Sequence, residues 1–176
     1  MVVVYLKPHK EESLFRFHPW IFSGAIAQFK GKPEEGDVVR VVDSQGNFIA
    51  MGHYQIGSIM VRVLSFSDET IDRTFFQNAI RKAYQMRRDI RVAGVENNTT
   101  YRLVHGEGDH LPGLVVDVYG DTAVIQAHSV GMHMVREQIA EILVAEIKGV
   151  ENVYYKSEGT LPFKASIVAE DTYLIG

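Results

Sequence analysis

The feature that most constrains this chain is a change of hydrophobic period at Ser67-Asp68-Glu69-Thr70. Before it, apolar residues come in short strand-type runs at 2–6, 38–42, 48–51 and 59–64. Gly31-Lys32-Pro33, Gly36-Asp37 and the hairpin-type connection Asp43-Ser44-Gln45-Gly46-Asn47 separate these runs. That is the pattern of a small β-barrel or sandwich, with room for a single helical turn at 11–17 that Pro19 would stop. After the polar boundary the period becomes that of a helix, over about residues 71–92. Two compact modules are therefore expected, 1–70 and 71–176, which suits a chain of 176 residues.

The expected helix is two-faced. Steps of 100° put Phe76, Ala79, Ile80, Ala83, Met86 and Ile90 on one side, and Arg73, Gln77, Arg81, Tyr84, Arg88 and Arg91 on another. Residues 73–95 carry six Lys/Arg against Asp89 alone, whereas residues 1–72 carry seven against nine Asp/Glu. Because the net charge is -4, any polyanion must be held by such a local patch rather than by overall charge. Further strands are expected at 101–105, 114–118 and 123–128, the last pair joined by Tyr119-Gly120-Asp121-Thr122. A second helix follows at about 131–148, capped by Ser129, striped with Met132, Val135, Ile139, Ile142 and Leu143, and ended by Gly149. With a last strand at 153–156, the second module orders as helix, three strands, helix, strand, and the fold class is α+β.

Several chemistries are excluded. Cysteine is absent, which removes disulfides, thiolate metal sites and thiol nucleophiles from these residues. No apolar run approaches the roughly 20 residues that span a bilayer, and Met1 to Tyr5 lacks a signal-peptide layout, so a cytoplasmic protein is expected. His105-Gly106-Glu107-Gly108-Asp109-His110 contains donors fit for a metal or for acid–base work, but its glycines make it a connection between strands. No Pro-Cys-x-x-Cys accompanies its His-x-Glu, and no helix follows its Gly-x-Gly, so a zinc deaminase site and a dinucleotide loop both fail. There is no Gly-x-Ser-x-Gly elbow. No catalytic, cofactor-binding or metal-ligating residue is assigned.

What remains points to RNA. His18-Pro19-Trp20-Ile21-Phe22 follows directly on Lys7, Lys10 and Arg16, pairing rings that stack on unpaired bases with cations that hold phosphate. For Trp20 or Phe22 taken singly a place in the core of the barrel is the stronger reading, with His18 a local cap, so the nearby basic residues are the better RNA candidates. Arg81, Arg88 and Arg91 are either a solvated helix face or phosphate contacts. The candidate RNA-binding residues are thus Lys7, Lys10, Arg16, His18, Arg81, Arg88 and Arg91. The arginine-rich helix also offers a dimer contact, by pairing with Glu137, Glu141 and Glu146 of a second copy.

Two motifs, Phe17-His18-Pro19-Trp20-Ile21-Phe22-Ser23-Gly24-Ala25-Ile26 and the run from Arg102 through His105-Gly106-Glu107-Gly108-Asp109-His110-Leu111-Pro112-Gly113-Leu114 to Asp121, carry a resemblance over essentially the whole chain. Together they resemble the front part of bacterial S-adenosylmethionine-dependent RNA methyltransferases of the large-subunit ribosomal RNA cytosine-C5 type. The resemblance implies a PUA domain at 1–70 and a central α/β domain at 71–176 leading into a Rossmann-like catalytic domain. It implies ribosomal RNA as partner and S-adenosylmethionine as cofactor of the full-length protein, with none held here. The cofactor loop and nucleophilic cysteine of that family are not in these residues, and with the strand-like run at 173–176 the expectation is a segment of a longer protein. Two matched positions depart from the pattern: His110 stands where a small residue is usual, and Val118 where a basic one is.

Overall fold

The computed structural model describes residues 1–162 and 167–176. They form two compact units, Met1–Ile71 and Asp72–Gly176. In the first, β1 (Val2–Leu6), β2 (Trp20–Phe22), β3 (Ile26–Lys30), β4 (Val38–Val42), β5 (Phe48–Tyr54) and β6 (Ile59–Ser65) make one sheet in the order β2-β6-β5-β4-β1-β3. Only β1 and β4 run parallel; the other pairings are antiparallel.

The four apolar runs expected from the sequence are β1, β4, β5 and β6. The periodicity did not expose β2, because three residues are too few for a period of two to register, or β3, whose Gln28 and Lys30 dilute the apolar signal. A 3-10 turn at Leu14–Arg16 takes the place of the expected helical turn. The core is Val4, Leu6, Leu14, Ile21, Ile26, Val39, Val41, Ile49, Ala50, Val61 and Val63. Each of its Val, Leu and Ile side chains contributes roughly 1.5–3 kcal/mol by leaving water. Gly52 is required where β5 crosses β6, since a Cβ there would lie 2.3 Å from the Arg62 carbonyl oxygen.

The second unit opens with α1 (Arg73–Asp89), whose Asp72 cap accepts a hydrogen bond from the Phe75 N–H at 3.1 Å. β7 (Thr100–His105), β8 (Leu114–Tyr119), β9 (Thr122–Ala127), β10 (Asn152–Tyr155) and β11 (Thr172–Ile175) form a sheet in the order β11-β10-β9-β8-β7. β9 and β10 are parallel, so the chain crosses between them through α2 (Val130–Met134) and α3 (Arg136–Glu146). Leu103, Val116, Ile125 and Val153 are buried, and α1 and α3 pack on each other. The fold is α+β, as expected.

Helix ends show where pattern reading stops. α1 ends at Asp89 rather than near Val92 because Arg91 is left-handed, φ 59. The Val92 N–H then bonds the Arg87 carbonyl at 2.8 Å and the Arg91 N–H that of Arg88 at 3.0 Å, a Schellman closure with arginine in the usual glycine place. The second helix is broken at Val135, whose ψ of 8° leaves the helical region. Its Ser129 cap is in place, with the Met132 N–H donating to Oγ at 3.4 Å. Among the described residues, no helix is long and apolar enough to cross a membrane.

Candidate nucleic-acid interface

Residues 7–25 connect β1 to β3 and include the edge strand β2. The Lys7 N–H bonds the Ala25 carbonyl at 2.8 Å, and the Lys7 Nζ reaches the Gly24 carbonyl at 2.8 Å. Lys10 is exposed one turn on, its N–H donating to the Lys7 carbonyl at 3.2 Å. Arg16 ends the 3-10 turn and is exposed. His18 is exposed too, and its Nδ1 accepts the Trp20 N–H at 3.2 Å. The four candidate residues of the first unit therefore lie in one hydrogen-bonded segment.

That segment also turns its rings outward. On β2, Ile21 is the residue that enters the core, at 2% exposure, so strand alternation sends Trp20 and Phe22 to the other side. Phe22 is 48% exposed and Trp20 half-buried. The rings of His18, Trp20 and Phe22 touch one another, with centroids 5.9 Å (His18–Trp20), 6.4 Å (His18–Phe22) and 6.4 Å (Trp20–Phe22) apart. Phe15 and Phe17 are 66% and 70% exposed, the latter edge-on to Phe66 at 5.2 Å. The core alternative for Phe22 does not hold. Sequence reading missed Phe15 and Phe17, although a turn bounded by Pro19 has only Leu14 (2% exposed) to anchor it, which leaves its other rings outside.

The helix residues divide. Arg81 is not simply solvated: Nε and Nη2 grip Glu146 of α3 at 2.5 and 2.8 Å, and Gln77 bonds the same carboxylate. The hydrogen bonds from Arg81 and then Gln77 hold the Glu146 carboxyl below its usual range. Arg73 pairs with Glu141 at 2.5 Å. The acids expected to meet a second copy are thus engaged within the chain, since α1 and α3 are neighbours, and Glu137 pairs with the adjacent Arg136 at 3.1 Å. Arg88 and Arg91 are exposed; the Arg88 guanidinium lies 5.8 Å from the Tyr84 ring centre.

The apolar stripe is also rotated from its expected position. Phe76, Ile80 and Ala83 are buried, but Met86 and Ile90 are 51% and 63% exposed. Arg87 takes the next inward place, its side chain 12% exposed. It forks onto Asp109 at 2.6 and 2.7 Å, and Asp109 also accepts the His105 N–H at 2.6 Å. The helical positions alone do not separate the stripe 76, 80, 83, 87 from 76, 80, 83, 86 and 90; the buried acid that settles it, Asp109, comes from another element.

The motif around Asp109 is therefore architecture. A 3-10 turn spans Gly106–Asp109, the Leu111 N–H returns to the Gly106 carbonyl at 3.0 Å, and Leu111 and Leu114 are fully buried. Gly113 has φ +86, and a Cβ there would meet the Ser129 Oγ at 2.6 Å, displacing the α2 cap. Asp117 receives Arg102 from the facing strand at 2.8 and 2.9 Å. His110 has φ 59, a left-handed conformation that favours glycine, and Val118 is buried. Burial lowers the His128 pKa, with Glu107 opposing. Among the described residues, no cluster of three His, Asp or Glu is placed to hold a metal.

Residues 4–66 match the PUA-like domain family. The chain is 37% identical over 173 residues to the ribosomal RNA large subunit methyltransferase I of Pseudoalteromonas translucida, covering 93% of this chain and 43% of that protein. It is 38% identical over 174 residues to the protein of the same name from Tolumonas auensis, covering 98% and 43%. Among solved structures it resembles a candidate SAM-dependent methyltransferase from Streptococcus mutans, with TM-score 0.77, 18% identity, and 98% of this chain and 43% of that one covered. It also resembles a candidate methyltransferase complexed with SAH, with TM-score 0.79, 17% identity, and 100% and 43% covered. The chain spans less than half the length of these relatives. With a PUA-like first unit and a match running through both units, this chain is similar over nearly its whole length to part of the ribosomal RNA large subunit methyltransferase I proteins.

Proposed function

We propose that these residues are the RNA-docking region of a cytoplasmic methyltransferase that uses S-adenosylmethionine to methylate cytosine C5 in large-subunit ribosomal RNA. In this reading residues 1–70 bind RNA and residues 71–176 connect them to a Rossmann-like catalytic domain. The carrying observation is the exposed set Lys7, Lys10, Arg16 and His18, gathered in one hydrogen-bonded segment of the PUA-like unit. Arg88 and Arg91 add exposed charge in the second unit. Arg81 keeps a secondary part, because phosphate would have to compete with Glu146 for it.

Methylation at cytosine C5 proceeds by addition of a thiolate to the ring, which makes the neighbouring carbon nucleophilic toward the methyl sulfonium. These 176 residues contain no cysteine, so their contribution is to hold and orient RNA while the thiolate and the cofactor are supplied elsewhere. The purified chain is expected to bind ribosomal RNA with affinity that falls as salt rises, and to transfer no methyl group. Lys10→Glu with Arg16→Glu should weaken binding at low salt and flatten its salt dependence by roughly one to two phosphate contacts. Unchanged affinity in that variant, or methyl incorporation by the chain alone, would refute the assignment.

A further inference from the structure

We infer that the rings of residues 15–22 form a stacking site for unpaired nucleotides, so that the RNA feature held by the first unit is a single-stranded or bulged stretch rather than continuous duplex. The inference rests on the RNA-docking reading and specifies its substrate. In A-form RNA the bases are stacked inside the helix, and what a protein meets is phosphate, ribose hydroxyl and the shallow groove, for which cations and polar side chains suffice. Exposed phenyl rings gain nothing from that surface. They gain from the face of an unstacked base, which has no better neighbour in water.

The first unit presents such rings where they are costly to leave in water. Phe15, Phe17 and Phe22 are each about half or more exposed, within eight residues that also hold the solvent-facing His18 and half-buried Trp20. Nothing in the core requires them outside, since Leu14 and Ile21 already anchor this segment at 2% exposure. The edge-to-face contacts of Trp20 with His18 and with Phe22, with interplanar angles of 81° and 89°, fix these rings against one another. Rings held this way lose little conformational freedom when a base arrives. Lys7, Lys10 and Arg16 in the same segment match the phosphates that join stacked bases, and this charge complementarity selects RNA as the occupant over an apolar protein surface.

Trp20 is the only tryptophan of the chain and reports on its own site. The test titrates the 176-residue chain with a labelled single-stranded RNA and with a duplex containing the same strand, following anisotropy and Trp20 fluorescence. Tighter binding of the single strand with quenching of Trp20 is expected. Phe17→Ala with Phe22→Ala should weaken single-strand binding about tenfold and leave duplex binding unchanged. Phe22→Tyr, which keeps a stacking face, should restore most of the loss in the Phe17 background, showing that folding is intact. If the double alanine variant binds the single strand as tightly as the unchanged chain, or the chain prefers the duplex, the stacking site is overturned and RNA docking stands. If neither RNA binds, or Lys10→Glu with Arg16→Glu has no effect on either, the docking reading falls and the inference with it.

Discussion

Acidification should destabilise the first unit through one residue, His53. It lies on β5, 3% exposed, opposite Val38 on one side and Arg62 on the other. Burial, and then the positive charge of Arg62, push its pKa down to about 4 from the ordinary 6.5. A base whose pKa is lowered by folding binds fewer protons in the native state, so its contribution is complete above pH 6.5 and is lost as pH falls towards 4. The difference of about 2.5 units corresponds to about 3 kcal/mol, most of it gone by about pH 4.5. Asp43 and Asp68, whose pKa values are lowered by hydrogen bonds from Asn47 and from Arg40, lose their contributions only below their ordinary 3.8, outside this window. Urea denaturation read by Trp20 fluorescence between pH 7.5 and 4.5 should show the midpoint falling steeply for the unchanged chain and much less for His53→Leu. The comparison is of slopes, so a constant offset from the substitution does not matter. Equal slopes would refute the reasoning.

Breaking the Arg87–Asp109 pair from one side leaves a buried charge, so Arg87→Met or Asp109→Leu should each cost about 3–5 kcal/mol; combining them should cost less than the sum, as measured by chemical denaturation. At the left-handed His110, substitution by Gly should alter stability by no more than about 0.5 kcal/mol, because relief of strain is offset by a freer unfolded chain. His110→Val should destabilise by about 1–2 kcal/mol, both being read from thermal melts.

Legibility followed the strength of the local signal. β1, β4, β5 and β6 were readable because each is an apolar, β-branched-rich run bounded by turn residues, and Ser129 was readable as a cap from its side chain alone. The end of α1 was not, since its closure uses Arg91 in a conformation the sequence marks only when glycine is present. The rotation of the α1 stripe depended on a partner 22 residues away, Asp109, which no helical wheel contains. The same limit governed the candidate site. Composition located the arginines of α1, but whether an arginine is available depends on what faces it, and Glu141 and Glu146 come from an element 60 or more residues later. Lys7, Lys10, Arg16 and His18 are close in sequence, and the hydrogen bonds from Lys7 to Gly24 and Ala25 that close their segment join residues 17 and 18 apart.

Charge and aromatic surface then bear differently on RNA. The chain as a whole is acidic, and segment 7–25 itself holds Glu11 and Glu12 beside its three cations. Three phosphate contacts on a single strand correspond to a salt slope of only about -2, too shallow for electrostatics to hold RNA by itself at physiological ionic strength. Whatever affinity the first unit has must come mostly from a term that salt does not screen, and its surface offers one such term in the rings at 15, 17 and 22. The lysines and Arg16 would then set the path of the backbone, while the rings set which nucleotides, paired or unpaired, can lie along it.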